Sequence, residues 1–169
     1  MKYEANASGG KETRLKKYTS ILFDLDGTLT DSGPGIIKGV QYALRKFDID
    51  CEDPGELTKF IGPPLTDSFI EYYQFDNDMA NLALQYYREY YSDIGIFENS
   101  VYAGIDGLLH DLHKSNYLLY IATSKPTVYA RKVCDHFGIS RYFNDIIGSD
   151  IEKNLSNKTG IINEVISRH

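Results

Sequence analysis

The spacing of apolar residues changes several times along the chain. Ile21, Leu22 and Phe23 form a compact run within Tyr18 to Asp24, ending at the turn signal Asp24-Leu25-Asp26-Gly27. That run predicts a buried strand with two carboxylates at its C-terminal end. From Pro34 to about Phe47 the period lengthens, and Ile36, Ile37, Val40, Leu44 and Phe47 fit one face of an amphipathic helix. Pro34 stands where a first helical turn tolerates proline. Two shorter helical pieces follow around 54–60 and 65–74, separated by Gly62-Pro63-Pro64. A longer helix is expected from about Asp76 to Asp93, with Met79, Leu82, Tyr86 and Tyr90 on one stripe. Residues 34–98 thus read as a mostly helical block without a good strand.

Strand and helix patterns then alternate. Gly104 to Lys114 reads as helix and Tyr117 to Ala122 as a second strand, which runs into Thr123-Ser124-Lys125-Pro126. Val128 to Phe137 reads as helix and stops at Gly138; Phe143 to Gly148 reads as a third strand; Thr159 to Ser167 begins another helix. Strands separated by helices indicate an α/β fold with a doubly wound parallel sheet. The expected organisation is a flexible leader over 1–17, a core formed by 18–33 and 99–169, and a helical insertion over 34–98.

Composition narrows the function classes. Eighteen Lys and Arg stand against 24 Asp and Glu among 169 residues, a formal charge of −6, so the basic footprint of a nucleic-acid binder is missing. A hydrophobic share of 42% places the chain among globular domains rather than disordered ones. No apolar run approaches the ~20 residues of a membrane span, and the first ten residues lack the apolar stretch of a secretory signal. Cys51 and Cys134 are too few for a disulfide framework, which points to a reducing cytoplasm.

The strongest chemical signal is Asp24-Leu25-Asp26-Gly27-Thr28. Ligands of open α/β sheets bind beyond the carboxyl ends of the strands, and aspartates at i and i+2 of a strand point to one side. Such a pair can divide the work of nucleophile and acid/base or attract Mg²⁺, which prefers hard oxygens. Thr123, with the amide of Ser124, can hold a phosphate oxygen, although alone a Thr-Ser pair before Lys-Pro reads more often as a plain turn or helix cap. Lys158 can neutralise phosphoryl charge, although alone it reads as an exposed loop lysine after the polar segment Glu152 to Asn157. His110 and His113, at i and i+3, lack a third metal ligand and read as solvated. Cys134 reads as buried packing. Most of the 14 tyrosines, including Tyr72-Tyr73, Tyr86-Tyr87 and Tyr90-Tyr91, read as packing residues with hydroxyls at the surface; a minority are candidates for a pocket around an organic leaving group.

Taken together, Asp24-Leu25-Asp26-Gly27-Thr28, Thr123 and Lys158 resemble the first three motifs of the haloacid dehalogenase-like (HAD) hydrolase superfamily. The helical insertion is similar to its C1 cap, and F-D-L-D-G-T-L-T-D-S, I-G-P-P-L and A-T-S-K-P look most like phosphoglycolate phosphatase and 5′-nucleotidase-type members. The resemblance covers about 18–169 and implies a Rossmann-like core. It also implies roles. Asp24 attacks phosphorus and forms an aspartyl-phosphate. Asp26 protonates the leaving oxygen and then activates water. Thr123, Ser124 and Lys158 hold the phosphoryl oxygens, and Mg²⁺ sits on the Asp24 carboxylate and the Asp26 carbonyl. Asp26 favours phosphate-ester chemistry over dehalogenation. Gly62, Pro63 and Pro64 are candidates for a cap loop over the substrate, and equally for a structural inter-helix turn. The implied function is Mg²⁺-dependent hydrolysis of a small-molecule phosphate ester, of phosphoglycolate or nucleoside monophosphate type, with no nucleic-acid or membrane partner. A sugar phosphomutase and a non-catalytic fragment binding phosphate compounds or a protein remain the alternatives.

The resemblance departs at one point. The family's fourth acidic motif, which supplies a further Mg²⁺ ligand, follows the helix after Lys158, and no such stretch occurs before His169. Asp150 precedes Lys158 and is not a substitute. The expectation is therefore an incomplete core with an open edge at the first strand, and an impaired enzyme.

Overall fold

The computed structural model describes residues 18–150, 155 and 157–169. The leader expected over 1–17, and all of the Glu152–Asn157 loop except Leu155 and Asn157, lie outside the described residues. Three parallel strands form the main sheet: β1 (Ser20–Phe23), β4 (Leu118–Pro126) and β5 (Asp145–Ser149), in the order β1-β4-β5. The register runs from Ser20↔Leu118 to Phe23↔Ile121, and from Tyr120↔Asp145 to Pro126↔Ser149 with an irregularity after Ala122.

Side-chain alternation along β4 divides the core. Leu119 and Ile121 point to one face, where Leu109 of α4 (Ile105–Lys114) and Ala130, Val133 and Cys134 of α5 (Thr127–His136) belong to the same buried cluster. Tyr120 and Ala122 point to the other, joining Ile147 with Ile161 and Val165 of α6 (Lys158–Arg168). Helices on both faces of a parallel sheet give the doubly wound α/β arrangement that the alternation predicts. β1 differs from the expected buried strand: it pairs only with β4 among the described residues, and Leu22 is 36% exposed. Leu22 stands opposite Tyr120, on the face covered by α6, and that helix packs on β4 and β5.

A two-stranded ribbon brackets the helical block. β2 (Thr30–Asp31) and β3 (Ser100–Val101) pair antiparallel, Thr30 with Val101 and Asp31 with Ser100. Two residues a side carry no periodic signal, so this ribbon was not predictable from pattern. Between the two strands lie α1 (Gly33–Arg45), a 3₁₀ segment Pro54–Phe60, α2 (Leu65–Tyr73), α3 (Asn77–Tyr91) and a 3₁₀ turn Gly95–Phe97. α1 buries Gly35, Ile36, Gly39, Val40, Ala43 and Leu44 along one stripe. Asp76 caps α3, accepting a 2.8 Å bond from the Met79 amide. The buried face of α3 is one residue out of step with the predicted stripe. Ala80, Ala83, Tyr87 and Tyr91 are buried, whereas Met79 and Leu82 are each 38% exposed. Small residues explain the shift: a Cβ at Gly39 of α1 would stand 2.7 Å from the Tyr87 ring, so the alanine and tyrosine side of α3 closes on the glycine side of α1.

Candidate active site

β1 ends at Phe23, and the six residues before β2 fold into a tight loop. The Leu25 carbonyl accepts the amides of Thr28, Leu29 and Thr30 at 3.2, 2.9 and 3.1 Å. Gly27 supplies the left-handed turn at φ +75°, a conformation glycine adopts without strain. Leu25 and Leu29 are wholly buried and anchor the loop from below. The carboxylates of Asp24 and Asp26 therefore project from a pinned backbone at the carboxyl end of the sheet.

Each carboxylate meets a lysine from a distant part of the chain. Asp24 Oδ1 accepts the Leu25 amide at 2.8 Å, and Oδ2 lies 2.6 Å from Lys158 Nζ. Lys158 is the first residue of α6, whose cap Asn157 accepts the Gly160 amide at 2.8 Å. The positive end of that helix thus faces the same region, an arrangement suited to anions. The β1–β4 register ends at Phe23↔Ile121, one residue before Asp24 and two before Thr123. Thr123 is buried and its Oγ1 accepts the Lys125 amide at 3.3 Å, while Ser124 is exposed. Of the sequence-predicted residues, Asp24 and Lys158 meet directly, Asp26 follows on the same loop, and Thr123 lies within β4, two residues before the Lys125 that meets Asp26.

Lys125 is the residue that sequence reasoning passed over. β4 continues to Pro126, beyond the predicted end at Ala122, and carries Lys125 into the interior with 8% of its surface exposed. Its Nζ donates to both oxygens of Asp26 at 2.8 and 3.0 Å. The available signal was spacing: a strand continued through Thr123-Ser124-Lys125 puts alternate residues inside, and Thr123 and Lys125 are buried while Ser124 is exposed. Burial pulls the Lys125 ammonium downward, but the charge of Asp26 and the nearby Tyr91 outweigh it and hold the group above the usual lysine value.

The block between β2 and β3 roofs this pair. Lys125 Nζ sits 5.1 Å above the centre of the Tyr91 ring, which stacks on Tyr87 at 5.0 Å and meets Tyr129 of α5 edge-on at 5.9 Å. Tyr87 and Tyr91 depart from the expectation of surface hydroxyls: they are 6% and 3% exposed. Burial, followed for Tyr87 by its neighbour Tyr91 and by Asp26, pushes the Tyr87 phenol well above its ordinary value. Gly62, Pro63 and Pro64 form an exposed loop, with Gly62 at φ +109°. Its neighbour Ile61 comes close to Gly33, the residue that opens α1 beside the ribbon: a Cβ at Gly33 would stand 3.2 Å from Ile61 Cδ1. His110 and His113 are exposed beside the Tyr142 ring, and no group of three His, Cys, Asp or Glu side chains is placed to hold a metal among the described residues.

The sequence pattern of the family described as "Haloacid dehalogenase-like hydrolase" matches residues 21–169. The chain is a haloacid dehalogenase-like hydrolase. Among proteins similar to it, a 5′-nucleotidase from Pseudomonas aeruginosa is 43% identical over 150 residues, covering 89% of this chain and 68% of its own. The tyrosine-protein kinase PtkA of Mycobacterium tuberculosis is 32% identical over 148 residues, 88% of this chain and 50% of its own. A phosphoglycolate phosphatase from Photobacterium profundum is 30% identical over 138 residues, 77% of this chain and 60% of its own. A crystal structure of a predicted phosphatase from Clostridium acetobutylicum superimposes with a TM-score of 0.84 at 49% identity, over 89% of this chain and 70% of the other. The hydrolase thus spans between half and about 70% of the length of these relatives.

The donor set fits Mg²⁺ in chemistry. The ion binds hard oxygens, keeps several waters and uses one or two carboxylates. Two aspartates two residues apart on a pinned loop match that demand. The Asp26 carboxylate has both oxygens on the one buried Lys125 ammonium, whereas Asp24 is the more open of the two and meets Lys158 through Oδ2 alone, so the Asp24 carboxylate and main-chain oxygens of the loop are the better suited donors.

Proposed function

We propose that this hydrolase is a Mg²⁺-dependent phosphate monoesterase acting through an aspartyl-phosphate. The observation that carries the reading is the 2.6 Å approach of Lys158 Nζ to Asp24 Oδ2 at the carboxyl end of a parallel sheet. In this reading Asp26 carries a proton in the substrate complex; an Asp24 oxygen attacks phosphorus as the bond to the ester oxygen breaks, and Asp26 gives that oxygen its proton. Asp26, now ionised, takes a proton from the water that attacks the phosphoaspartate. Inorganic phosphate leaves and Asp24 is regenerated. Thr123, the Ser124 amide and Lys158 hold the phosphoryl oxygens. Phosphoryl transfer asks chiefly for positioning and charge neutralisation, and this set of groups supplies both. Mg²⁺, when bound by the Asp24 carboxylate and the Asp26 main-chain carbonyl, would supply further neutralisation of the phosphoryl charge.

Residues 34–98 act as a cap over the core of 18–33 and 99–169, with the Gly62-Pro63-Pro64 loop closing on the substrate. The nucleotidase and phosphoglycolate phosphatase relatives support a small phosphate ester of nucleoside 5′-monophosphate or phosphoglycolate type as substrate. Two free cysteines, and no helix among the described residues long and apolar enough to cross a membrane, suit a cytoplasmic enzyme. The test is release of inorganic phosphate from a panel of phosphate esters with and without Mg²⁺. Turnover that needs both Mg²⁺ and Asp24 supports the reading, and equal turnover by Asp24→Asn rejects it. Transfer of the phosphoryl group to a sugar hydroxyl instead of water would favour a mutase.

A further inference from the structure

A lysine buried against a carboxylate is an expensive way to stabilise a fold. Desolvation of the two charges offsets most of their attraction, and apolar replacements of such pairs are often neutral or stabilising. Lys125 nevertheless occupies such a place. Its main chain lies close against β5: a Cβ at Gly148 would stand 2.1 Å from the Lys125 carbonyl oxygen, so only a glycine fits there. Its ammonium cannot move toward the helical block, because the Tyr91 ring covers it. What remains is a fixed ammonium with both oxygens of Asp26 on it, at 2.8 and 3.0 Å. Asp26 is 17% exposed at its side chain and Lys125 5%. A two-point contact sets both the reach and the rotation of the carboxyl group, which a single hydrogen bond would not.

We infer that Lys125 is a positioning residue for Asp26, holding its carboxylate in one rotamer under the Tyr91 ring. The inference rests on the reading of Asp26 as acid/base. It adds a residue that touches neither the phosphorus nor the attacking oxygen. Tyr91 belongs to α3, so the position of the helical block reaches Asp26 through Lys125.

The test combines Lys125→Met, Lys125→Arg, Asp26→Asn and the Lys125→Met/Asp26→Asn pair in the whole chain. The readouts are kcat and KM for p-nitrophenyl phosphate with Mg²⁺, and the ¹⁵N signal of lysine ammonium groups. A positioned acid/base is worth about 10²–10⁴-fold in rate, so Lys125→Met should lower kcat by at least about tenfold, with KM changed by less than about threefold. Lys125→Arg, which keeps the positive charge and can donate to both carboxylate oxygens, should recover part of that loss. Lys125→Met should cost nothing further once Asp26 is Asn. In the ¹⁵N spectrum one slowly exchanging ammonium should vanish in Lys125→Met and in Asp26→Asn. An unchanged kcat in Lys125→Met beside an inactive Asp26→Asn overturns the inference and leaves the acid/base reading standing. Full activity in Asp26→Asn overturns that reading and the inference with it. A protected Lys125 ammonium that survives Asp26→Asn overturns the inference without reference to turnover.

Discussion

Lys158 Nζ and Asp24 Oδ2 meet at 2.6 Å although 134 positions separate them, and both side chains are 39% exposed. An ion pair this open contributes about 0–1 kcal/mol to stability, whereas a cation beside a developing phosphoryl charge is worth far more to rate. Lys158→Met should therefore lower kcat by about 10²–10³-fold, the range for loss of one oxyanion-stabilising donor, while the melting temperature stays within about 2 °C. Lys158→Arg should restore part of the rate. Paired kinetics and thermal melting check this, and a large melting loss with intact kcat would make the contact structural.

The helical block depends on a glycine crossing. A Cβ at Gly35 of α1 would lie 1.9 Å from the Gly95 carbonyl oxygen and 2.8 Å from its carbon, both main-chain atoms that cannot rotate away. Gly35→Ala should cost at least the 1–3 kcal/mol typical of overpacking, roughly 3–10 °C in melting temperature for a chain of this size. Gly107 in α4 has open space where a Cβ would go, so Gly107→Ala should instead stabilise by about 0.5–1 kcal/mol through helix propensity. Thermal melting of the two variants should move in opposite directions.

Most of the fold was legible because its elements carry period. The run Ile21-Leu22-Phe23, the stripe of α1 and the alternation after Gly104 each followed from spacing alone. What escaped was set by long-range packing. The β2–β3 ribbon is two residues long on each side, too short for a pattern. The buried side of α3 was displaced by one position because glycines on α1, not hydrophobicity on α3, decide which face closes. At the site, Asp24, Asp26, Thr123 and Lys158 were visible as motif positions. Lys125 was not, because the strand prediction ended at Ala122 and a lysine in a turn-like Ser-Lys-Pro reads as exposed. Only the sheet's continuation to Pro126 makes it interior.

The two thiols should separate by reactivity. Cys134 is wholly buried among α5 and β4 side chains, and burial, reinforced by the nearby Asp135 and Asp26 charges, pushes its thiol up to about 12. The thiolate is the reactive form, so Cys134 should resist maleimide at pH 8 in the folded protein. Cys51 is half-buried, with its Sγ donating to the Asp53 carbonyl at 3.2 Å. Mass spectrometry should show one adduct in buffer and two in denaturant. A second adduct in buffer at the rate of the first would show that α5 opens readily.

Asp145 ties the end of α6 to the start of β5, and that tie has a pH signature. Its Oδ1 accepts from Arg131 Nη2 at 2.7 Å and from the Ile146 amide at 2.8 Å, while Arg168 Nη1 and His169 Nε2 each stand 3.6 Å from Oδ2. Burial raises the proton affinity of the carboxyl, but the Ile146 amide, the Arg131 charge and the His169 contact overcome it and hold the group below its ordinary value. A carboxylate depressed in the folded state contributes stability that is complete above its unfolded pKa of ~3.9 and is lost as pH falls through the lower folded value. Asp145→Asn keeps an oxygen for the Ile146 amide but removes the charge. The gap in melting temperature between wild type and variant should be steady at pH 5 and above, and shrink as pH drops below about 4. Because α6 begins at Lys158, the variant should also weaken phosphate-ester turnover at neutral pH. A melting gap that stayed constant down to pH 2 would mean that the charge of Asp145 contributes nothing to holding α6.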